Sequence, residues 1–600
     1  MQLTKEQEEK FKKLGIASWC DLALLIPHSY EDLRLHTKLQ PHNDSKKALP
    51  QLIDATIESL IRAKNSLQIN FYAHNFAFSI KGVIFNPKRY MLHQYKEGER
   101  NYYYGTIECK SGFCTMSMPK KVTNIGQITP KYKTPLRNDV MLKFVQNNLT
   151  KERLTEEGLR EDVAQEILAL HFPTQLPSKE LDVKALNALK YAELFNYMKT
   201  LSKKRRYFSS MTNKCQGYLE WAKNLPFELT REQFDAIEDI KNDFLKDVAA
   251  RRVVVGDVGS GKTMVILASA FMMYPHRSIL MAPTTILANQ LYEEAQKFLP
   301  YAKAILVTNK TKKQDLEGFD FIIGTHALLH RELPYASLVM VDEQHRFGTL
   351  QRSMLEKLVS QGDKRAHFLQ FSATPIPRTQ AMIESAHIDV SLITTTPFKK
   401  DITSKIIRKN DFKNLLEHIK NEINKDNQVL LVYPLVEQSD MMEYQSIEEA
   451  RGYWEKNFDG VYVTHGADKE KEATLLEFRE KGNILVATTV VEVGISLPRL
   501  STVVIVGAER LGLSTLHQLR GRVSRTGLKG HCFLYTNQKE PARLEHFTKT
   551  TSGFDIAELD LKYRKSGDLL KGANQSGKEF KWVDLAEDEE IVKQVKMDLV

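Results

Sequence analysis

Apolar and polar positions change rhythm three times along the chain. Up to about residue 50 the rhythm is that of short helices. Leu14-Gly15-Ile16 ends one, and Asp21-Leu22 opens an apolar run to Ile26 that Pro27 closes. From about Gln51 to Val122 it changes to short strands: Gln68–Ile80 alternates and is rich in aromatics, Lys81-Gly82 interrupts it, and Tyr102-Tyr103-Tyr104 starts another. About five short strands over roughly 80 residues predict a small β-barrel. Residues 136–222 return to helical periodicity. From about Leu225 buried apolar strands alternate with helices. Arg252–Val255, Ser278–Met281, Phe319–Ile323, Leu338–Val341 and Phe368–Gln370 form one series. Gln428–Tyr433, Gly460–Thr464, Asn483–Ala487, Thr502–Val506 and Gly530–Tyr535 form a second. Two consecutive strand–helix series predict two parallel-sheet α/β domains. No solenoid-like repeat is visible.

The predicted organisation is therefore a helical and barrel domain over 1–136, a helical linker over 137–224, α/β domains over 225–396 and 397–540, and a C-terminal segment over 541–600. Composition adds little to this: 42% hydrophobic and 27% charged residues are ordinary for a globular protein. Apolar runs such as Val503–Val506 are far too short to span a bilayer, and the N-terminus carries no signal-like apolar stretch, so the expectation is a cytoplasmic protein with no membrane partner. Charge changes the picture more. Lys and Arg outnumber Asp and Glu by 85 to 75, and a surplus of +10 favours a polyanionic partner. The five cysteines (20, 109, 114, 215 and 532) include no Cys-x-x-Cys pair. Cys109 and Cys114 lack a second pair at zinc spacing and are expected as small core residues. The 17 histidines suggest no metal cluster.

The chemistry concentrates in three places. Gly256-Asp257-Val258-Gly259-Ser260-Gly261-Lys262-Thr263 fits G-x-x-x-x-G-K-[ST], between a predicted strand and the predicted helix Met264–Phe271. Gly256, Gly259 and Gly261 let backbone N–H groups, Ser260 included, curl round phosphate at a helix N-terminus. Lys262 reaches the β- and γ-phosphates of ATP, and Thr263 is a ligand for Mg²⁺. Leu338–Val341 then runs into Asp342-Glu343-Gln344-His345, two carboxylates at the C-terminal end of a buried strand, where open α/β sheets bind ligand. Asp342 is expected to hold Mg²⁺ and Glu343 to orient or deprotonate the attacking water. Third, Gln518-Leu519-Arg520-Gly521-Arg522-Val523-Ser524-Arg525 gathers several cations, of which Arg522 and Arg525 are placed to complete the site from across a cleft.

This set, with Ser372-Ala373-Thr374 between the second and third groups, resembles superfamily 2 helicases in order and spacing, and within them the RecG family of branched-DNA helicases. Leu225-Pro226-Phe227-Glu228-Leu229-Thr230, Val341–Gly348, Phe371–Thr379 and Ala508-Glu509-Arg510-Leu511-Gly512-Leu513 carry the likeness. Gly553-Phe554-Asp555-Ile556-Ala557-Glu558 and Gln575-Ser576-Gly577 resemble the translocation segment that this family shares with the transcription-repair coupling factor. The stretch from Leu14-Gly15-Ile16 to Tyr30-Glu31-Asp32 resembles the start of the family's wedge domain. The resemblance implies a multidomain fold: an oligonucleotide-binding-type wedge barrel, two RecA-like motor domains and a C-terminal helical hairpin. It implies ATP-driven fork reversal and branch migration on forks, Holliday junctions, D-loops and R-loops, in recombination and repair. A monomer and a single-stranded-DNA-binding protein partner are implied too. Phe227 and Gln233 are implied to contact adenine, Gln518 to join the nucleotide site, and Ser372 and Thr374 to couple nucleotide state to DNA movement; Arg564 and Gln575 would grip DNA or neighbouring loops. The chain departs from the family pattern at Ser496, Gly507, Ser524 and Lys565-Ser566.

In the barrel, Phe85, Tyr90, Tyr102, Tyr104 and Phe113 interleave with Lys88, Arg89, Lys110, Lys120 and Lys121. Small barrels bind single strands by stacking bases on aromatics beside a basic groove, although most such aromatics are barrel core. Phe85, at a predicted strand end, is the best wedge candidate. Lys203–Arg206 is more simply a solvated linker face, and His345 is expected to couple domains. Competing readings are an RNA-remodelling ATPase, which the Gly553–Gly577 segment disfavours, and a junction-binding scaffold without ATPase, which Lys262, Asp342, Glu343 and Arg522 disfavour. A transcription-repair coupling factor would need domains for which 600 residues leave no room.

Overall fold

In a computed structural model the described residues are 3–599 except 40–49, 64, 89–90, 111, 179, 399–400, 435–443, 467, 490–495, 525–526 and 566–579. The chain forms two compact units. The first comprises Met1–Tyr197 with Glu579–Val583 and Met597–Val600; the second comprises Met198–Lys578 with Asp584–Lys596.

In the first unit Thr4 and Gln7 build a reciprocal capping box that starts the helix Lys5–Leu14, and Gly15, left-handed at φ 69°, stops it. Strand β1 (Ser29–Asp32) pairs antiparallel with β7 (Ile128–Lys131). Between them β2 (Pro50–Ala63), β3 (Ser66–Ala73), β4 (Phe78–Phe85), β5 (Arg100–Lys110) and β6 (Phe113–Val122) close a barrel in the order β2-β3-β4-β6-β5. All its pairs are antiparallel except β4–β6, which is parallel, as in an oligonucleotide-binding fold. Leu67, Ile69, Phe71 and Ala73 alternate inward along β3 to meet Ile57 and Tyr103. The ring of Phe71 lies where a Cβ on Gly82 would stand, 2.5 Å away, which is why a glycine interrupts β4 there.

Cys109 and Cys114 are not core residues: they face each other across the β5–β6 hairpin, joined by a disulfide, with Cα atoms 4.0 Å apart. Tyr104 is core, at 8% exposure. Four helices (Asn138–Asn148, Lys151–Glu156, Glu161–His171, Val183–Ser202) follow the barrel. Near the chain's end the backbone returns to the last of them. Glu193 accepts from the N–H groups of Lys581, Trp582 and Val583, and Tyr191 donates to Asp598 at 2.6 Å.

The second unit holds two all-parallel sheets. The first contains β8 (Arg251–Gly256), β9 (Ser278–Met281), β10 (Ala304–Val307), β11 (Phe321–Gly324), β12 (Leu338–Val341), β13 (His367–Ser372) and β14 (Asp389–Ile393), in the order β10-β11-β9-β12-β13-β8-β14. The second contains β15 (Ile402–Ile407), β16 (Gln428–Val432), β17 (Val461–Thr464), β18 (Ile484–Ala487), β19 (Leu500–Val506) and β20 (Gly530–Tyr535), in the order β15-β20-β19-β16-β18-β17. These are the RecA-like sheets anticipated above, each with one or two more strands. Helices on both faces bury the central strands completely, hence their unbroken apolar runs. Order matters for the site. β12, β13 and β8 are adjacent, so the loops leaving their C-terminal ends converge.

Candidate nucleotide-binding and coupling site

The loop after β8 turns through Gly259 (φ 81°) and Gly261 (φ 77°) into the helix Lys262–Met273. A Cβ on Gly256 would lie 2.4 Å from Ser260 Oγ, and one on Gly261 would lie 2.2 Å from Gln233 Nε2, so both positions are closed to larger residues. Lys262 Nζ folds back over the loop and donates to the carbonyls of Gly256 (2.8 Å) and Asp257 (3.1 Å). Thr263 follows, half-buried, in the first helical turn. Ser260 Oγ is buried with no hydrogen-bond partner among the described residues.

Across the β12 end, Asp342 is buried. Burial, and then the charge of Glu343, push its carboxyl up to about 7, against the opposing pull of Lys262. A buried carboxyl whose neighbour is a second carboxylate favours a cation. The cradle of small residues, the orphaned Ser260 hydroxyl and this acidic pair all fit a nucleotide triphosphate with a divalent metal. Glu343 is held at φ 49°, left-handed, by the turn out of β12, and its Oε2 accepts from the Ala373 N–H at 3.1 Å. Thr374 N donates to Ser372 Oγ. Thr374 Oγ1 lies 3.4 Å from His345 Nδ1 and accepts from Gln518 Nε2 at 3.1 Å. His345 thus sits between Glu343, 3.5 Å away, and Thr374. A connected polar path runs from the carboxylate that follows β12 to Gln518 on the helix Leu513–Arg520, between β19 and β20 in the chain.

A second junction was not foreseen. Asp257, in the phosphate loop, accepts from its neighbour Val258 N–H (2.6 Å), from His517 Nε2 (2.5 Å) and from the Gly553 N–H (2.8 Å). Burial alone would raise its carboxyl. The His517 hydrogen bond, with the Gly553 and Val258 donors, outweighs burial and holds it at about 2. His517 Nδ1 in turn accepts from Arg520, whose guanidinium is buried over the Phe547 ring (4.3 Å) and donates to the Phe547, Thr550 and Thr551 carbonyls. Gly553 has no room for a Cβ, which would stand 2.5 Å from Asp257 Oδ1 and 2.6 Å from Pro375 Cγ. A Cβ on Gly521 would likewise stand 2.8 Å from Val258 Cγ1. One carboxylate therefore ties the phosphate loop, the helix Leu513–Arg520 and the start of the helix Gly553–Lys565.

Other candidates fall as follows. Gln233 is buried with both ends of its amide engaged, accepting from Thr230 N and donating to Ser260 O (2.7 Å), so it braces the phosphate loop as well as capping its helix. Phe227 is 45% exposed and meets Phe298 edge-on at 6.1 Å. Arg522 is buried at the turn that follows Gly521. Arg525, Gln575 and the Arg564 side chain lie outside the described residues. Phe85 is 59% exposed beside Asn86, whose φ is 47°. Phe113 is more exposed still, at 81%, but the parallel register Lys81↔Thr115 sets it level with Ser79, about 20 Å from Phe85 at roughly 3.3 Å per residue.

Arg205 is no solvated linker cation, because it pairs with Asp389 at 2.6 Å. One departure from the family pattern acquires a reason: Gly507 sits at φ 65°, where a Cβ would stand 3.2 Å from the Tyr444 ring. Ser524 sits at φ 63°, the region that favours glycine, and nothing in the structure explains the serine there. His418, Glu422 and His531 do come together, their ligand atoms within 4.8 Å, contrary to the expectation of no histidine cluster. Glu422 is already bound by Lys425 and Asn427, and Lys405 and Lys529 stand nearby. Among the described residues no helix is long and apolar enough to cross a membrane.

Residues 230–383 match the DEAD/DEAH box helicase family and 410–527 the helicase conserved C-terminal domain. The chain is 43% identical over 617 residues to the ATP-dependent DNA helicase RecG of Helicobacter pylori strain J99, covering 99% of this chain and 98% of the relative. It is 32% identical to RecG of Aquifex aeolicus, over 96% of this chain and 80% of that one. A solved structure of RecG bound to a three-way DNA junction superposes with a TM-score of 0.56 at 27% identity, over 99% of this chain and 84% of that one. With its barrel, paired RecA-like sheets and linked phosphate loop, the chain belongs to the RecG family of ATP-dependent DNA helicases.

Proposed function

We propose that this chain is an ATP-driven motor on branched DNA, separating or migrating the arms of forks and Holliday junctions in recombination and repair. The observation that carries the reading is the polar path from Glu343 through Thr374 to Gln518, together with the Asp257 junction. Both connect groups placed to sense a γ-phosphate with the second sheet and the C-terminal segment. The likeness to RecG relatives, and to the RecG structure on a three-way junction, supports this substrate class.

Bound Mg²⁺·ATP supplies the hydrolysable phosphoanhydride and the cation that offsets its charge. Lys262 and the backbone of 256–261 bind the phosphates, while Thr263 and Asp342 hold the metal. Glu343, fixed by the Ala373 N–H, orients the water and takes its proton. Arg522 and Arg525 bring positive charge from the second domain, and an arginine so placed is worth about 10³–10⁵ in rate. Phe227 and Gln233 flank the base, and Ser372, Thr374 and Gln518 relay closure. Phe85 is the barrel's wedge, and Arg564 and Gln575 act in translocation. We assign the chain a cytoplasmic, monomeric state and a single-stranded-DNA-binding protein as partner. The test is the ATPase rate with forked DNA, linear duplex, single strands and RNA. Strongest stimulation by forks supports the reading, and equal or greater stimulation by RNA refutes it.

A further inference from the structure

A pocket of about 420 Å³ opens in the second unit beside the first sheet, away from the phosphate loop's own residues. Its walls carry Arg206, Arg251, Arg352, Lys357 and Arg365, against a single acidic residue, Glu356. Glu356 is spent on Arg251, with which it pairs. Two of the remaining cations, Arg352 and Arg365, are met by neutral acceptors. Arg352 donates to the side-chain oxygens of Gln344 (2.8 Å) and Gln370 (2.6 Å), and Arg365 donates to the carbonyls of Gly362 (2.7 Å) and Lys364 (3.2 Å). These contacts satisfy hydrogen bonds but cancel no charge. Arg352 is half-buried, and that desolvation lowers its guanidinium pKa. Arg251 Nε is buried and has no partner among the described residues. The guanidinium groups of Arg251 and Arg365 each lie 5.4 Å from the Phe208 centroid, so the ring orders both side chains at the pocket wall.

We propose that this pocket binds a small phosphorylated anion of nucleotide size, carrying at least two negative charges, and that its occupancy modulates the motor through Arg352. Planar, pre-ordered arginine forks suit phosphate oxygens, and the volume lies within the range of small-molecule sites. A compact recess of this size admits one phosphorylated group, whereas a tracked strand needs an extended groove. Arg352 makes the link to catalysis. Gln344 directly follows Glu343, and Gln370 lies on β13 two residues before Ser372. An anion that draws Arg352 toward the pocket releases two amides that brace the loops on either side of the attacking water. This second half rests on the motor reading above; the binding does not.

Inorganic pyrophosphate is the probe, titrated calorimetrically into the full-length Lys262→Ala chain, in which the phosphate loop is weakened. One remaining site is expected, and Arg365→Ala with Lys357→Ala should weaken it at least about tenfold. ATPase of the otherwise wild-type chain at saturating ATP should change with pyrophosphate, and the double variant should lose that response. Affinity weaker than about 1 mM in the Lys262→Ala chain, or one unchanged by the double substitution, overturns the site. So does a double variant that loses fork DNA affinity while its pyrophosphate affinity is retained, because the pocket would then serve nucleic acid. Binding with no effect on hydrolysis overturns the coupling through Arg352, while leaving the ATPase assignment to stand on its own substrates.

Discussion

Replacing Asp257 by Asn keeps the side chain's shape and removes its charge. Asn Oδ1 can still accept from His517, but its NH₂ then faces the Gly553 N–H, setting two buried donors against each other. The size of the loss follows from the carboxyl's displacement from 3.8 to about 2. At about 1.36 kcal/mol per unit that is roughly 2 kcal/mol of preference for the ionised, tied arrangement, or about 30-fold in its population. The group is 5% exposed, so solvent screening takes little from this figure. Neither sheet depends on the junction, so the cost falls on the association of the phosphate loop, the helix Leu513–Arg520 and Gly553. Fork-stimulated ATPase should fall about 30-fold while affinity for a fluorescent ATP analogue stays within about threefold. Turnover within twofold of wild type, or nucleotide affinity lost in parallel with turnover, would refute the reasoning. Because this carboxyl is depressed, its contribution is complete above about pH 4 and is lost as pH falls through about 2, so the variant's defect should be constant from pH 6 to 9.

Glu343→Gln should bind ATP and DNA but turn over at least about a hundredfold more slowly, since shape survives and proton acceptance does not; single-turnover hydrolysis reads this directly. Phe85→Ala should spare fork-stimulated ATPase and slow fork unwinding several-fold, a stacked base being worth about 1–3 kcal/mol; equal slowing of both rates would place Phe85 outside the wedge. His171 is wholly buried between Tyr132 and the Ala23 carbonyl, and burial lowers its pKa from 6.5 to about 4. The unfolded chain binds the extra proton, so stability is full above about pH 6.5 and falls by roughly 3 kcal/mol as pH drops to about 4; urea midpoints of wild type and His171→Gln should converge across that window. Ser524→Gly should raise the urea midpoint by the equivalent of about 1 kcal/mol, because φ 63° strains serine more than the freer unfolded chain costs glycine.

The catalytic loops were legible because their chemistry is local. Gly259 and Gly261 supply positive φ within one turn, and Asp342-Glu343 ends a wholly apolar strand. The Asp257 junction was not, since its members stand at 257, 517 and 553 and each alone is an ordinary polar or small residue. Edge strands escaped for a related reason. β14 and β15 are covered incompletely, so Asp389–Ile393 and Ile402–Ile407 lack the continuous apolar run that marks β12. Ser29–Asp32 is polar throughout and is a strand only because Ile128–Lys131 pairs with it. The expected boundaries at 136 and 224 followed changes in periodicity. Residues up to Tyr197 share one compact unit, since helices that differ in rhythm from a barrel can pack into the same body.

The return of Lys581–Val583 and Asp598 to the helix Val183–Ser202 also sets a timetable for synthesis. The acceptor Glu193 leaves the ribosome long before its donors. With some 380 residues between Tyr197 and Glu579, at about 5–20 residues per second, the first unit waits roughly 20–80 s for its final contacts. Through that interval its barrel can form from neighbouring strands, but the helix Val183–Ser202 stays uncovered where the late segment will lie. A nascent chain stalled within the motor therefore exposes that helix surface, and a protease or chaperone acting during translation meets a different molecule from the finished one.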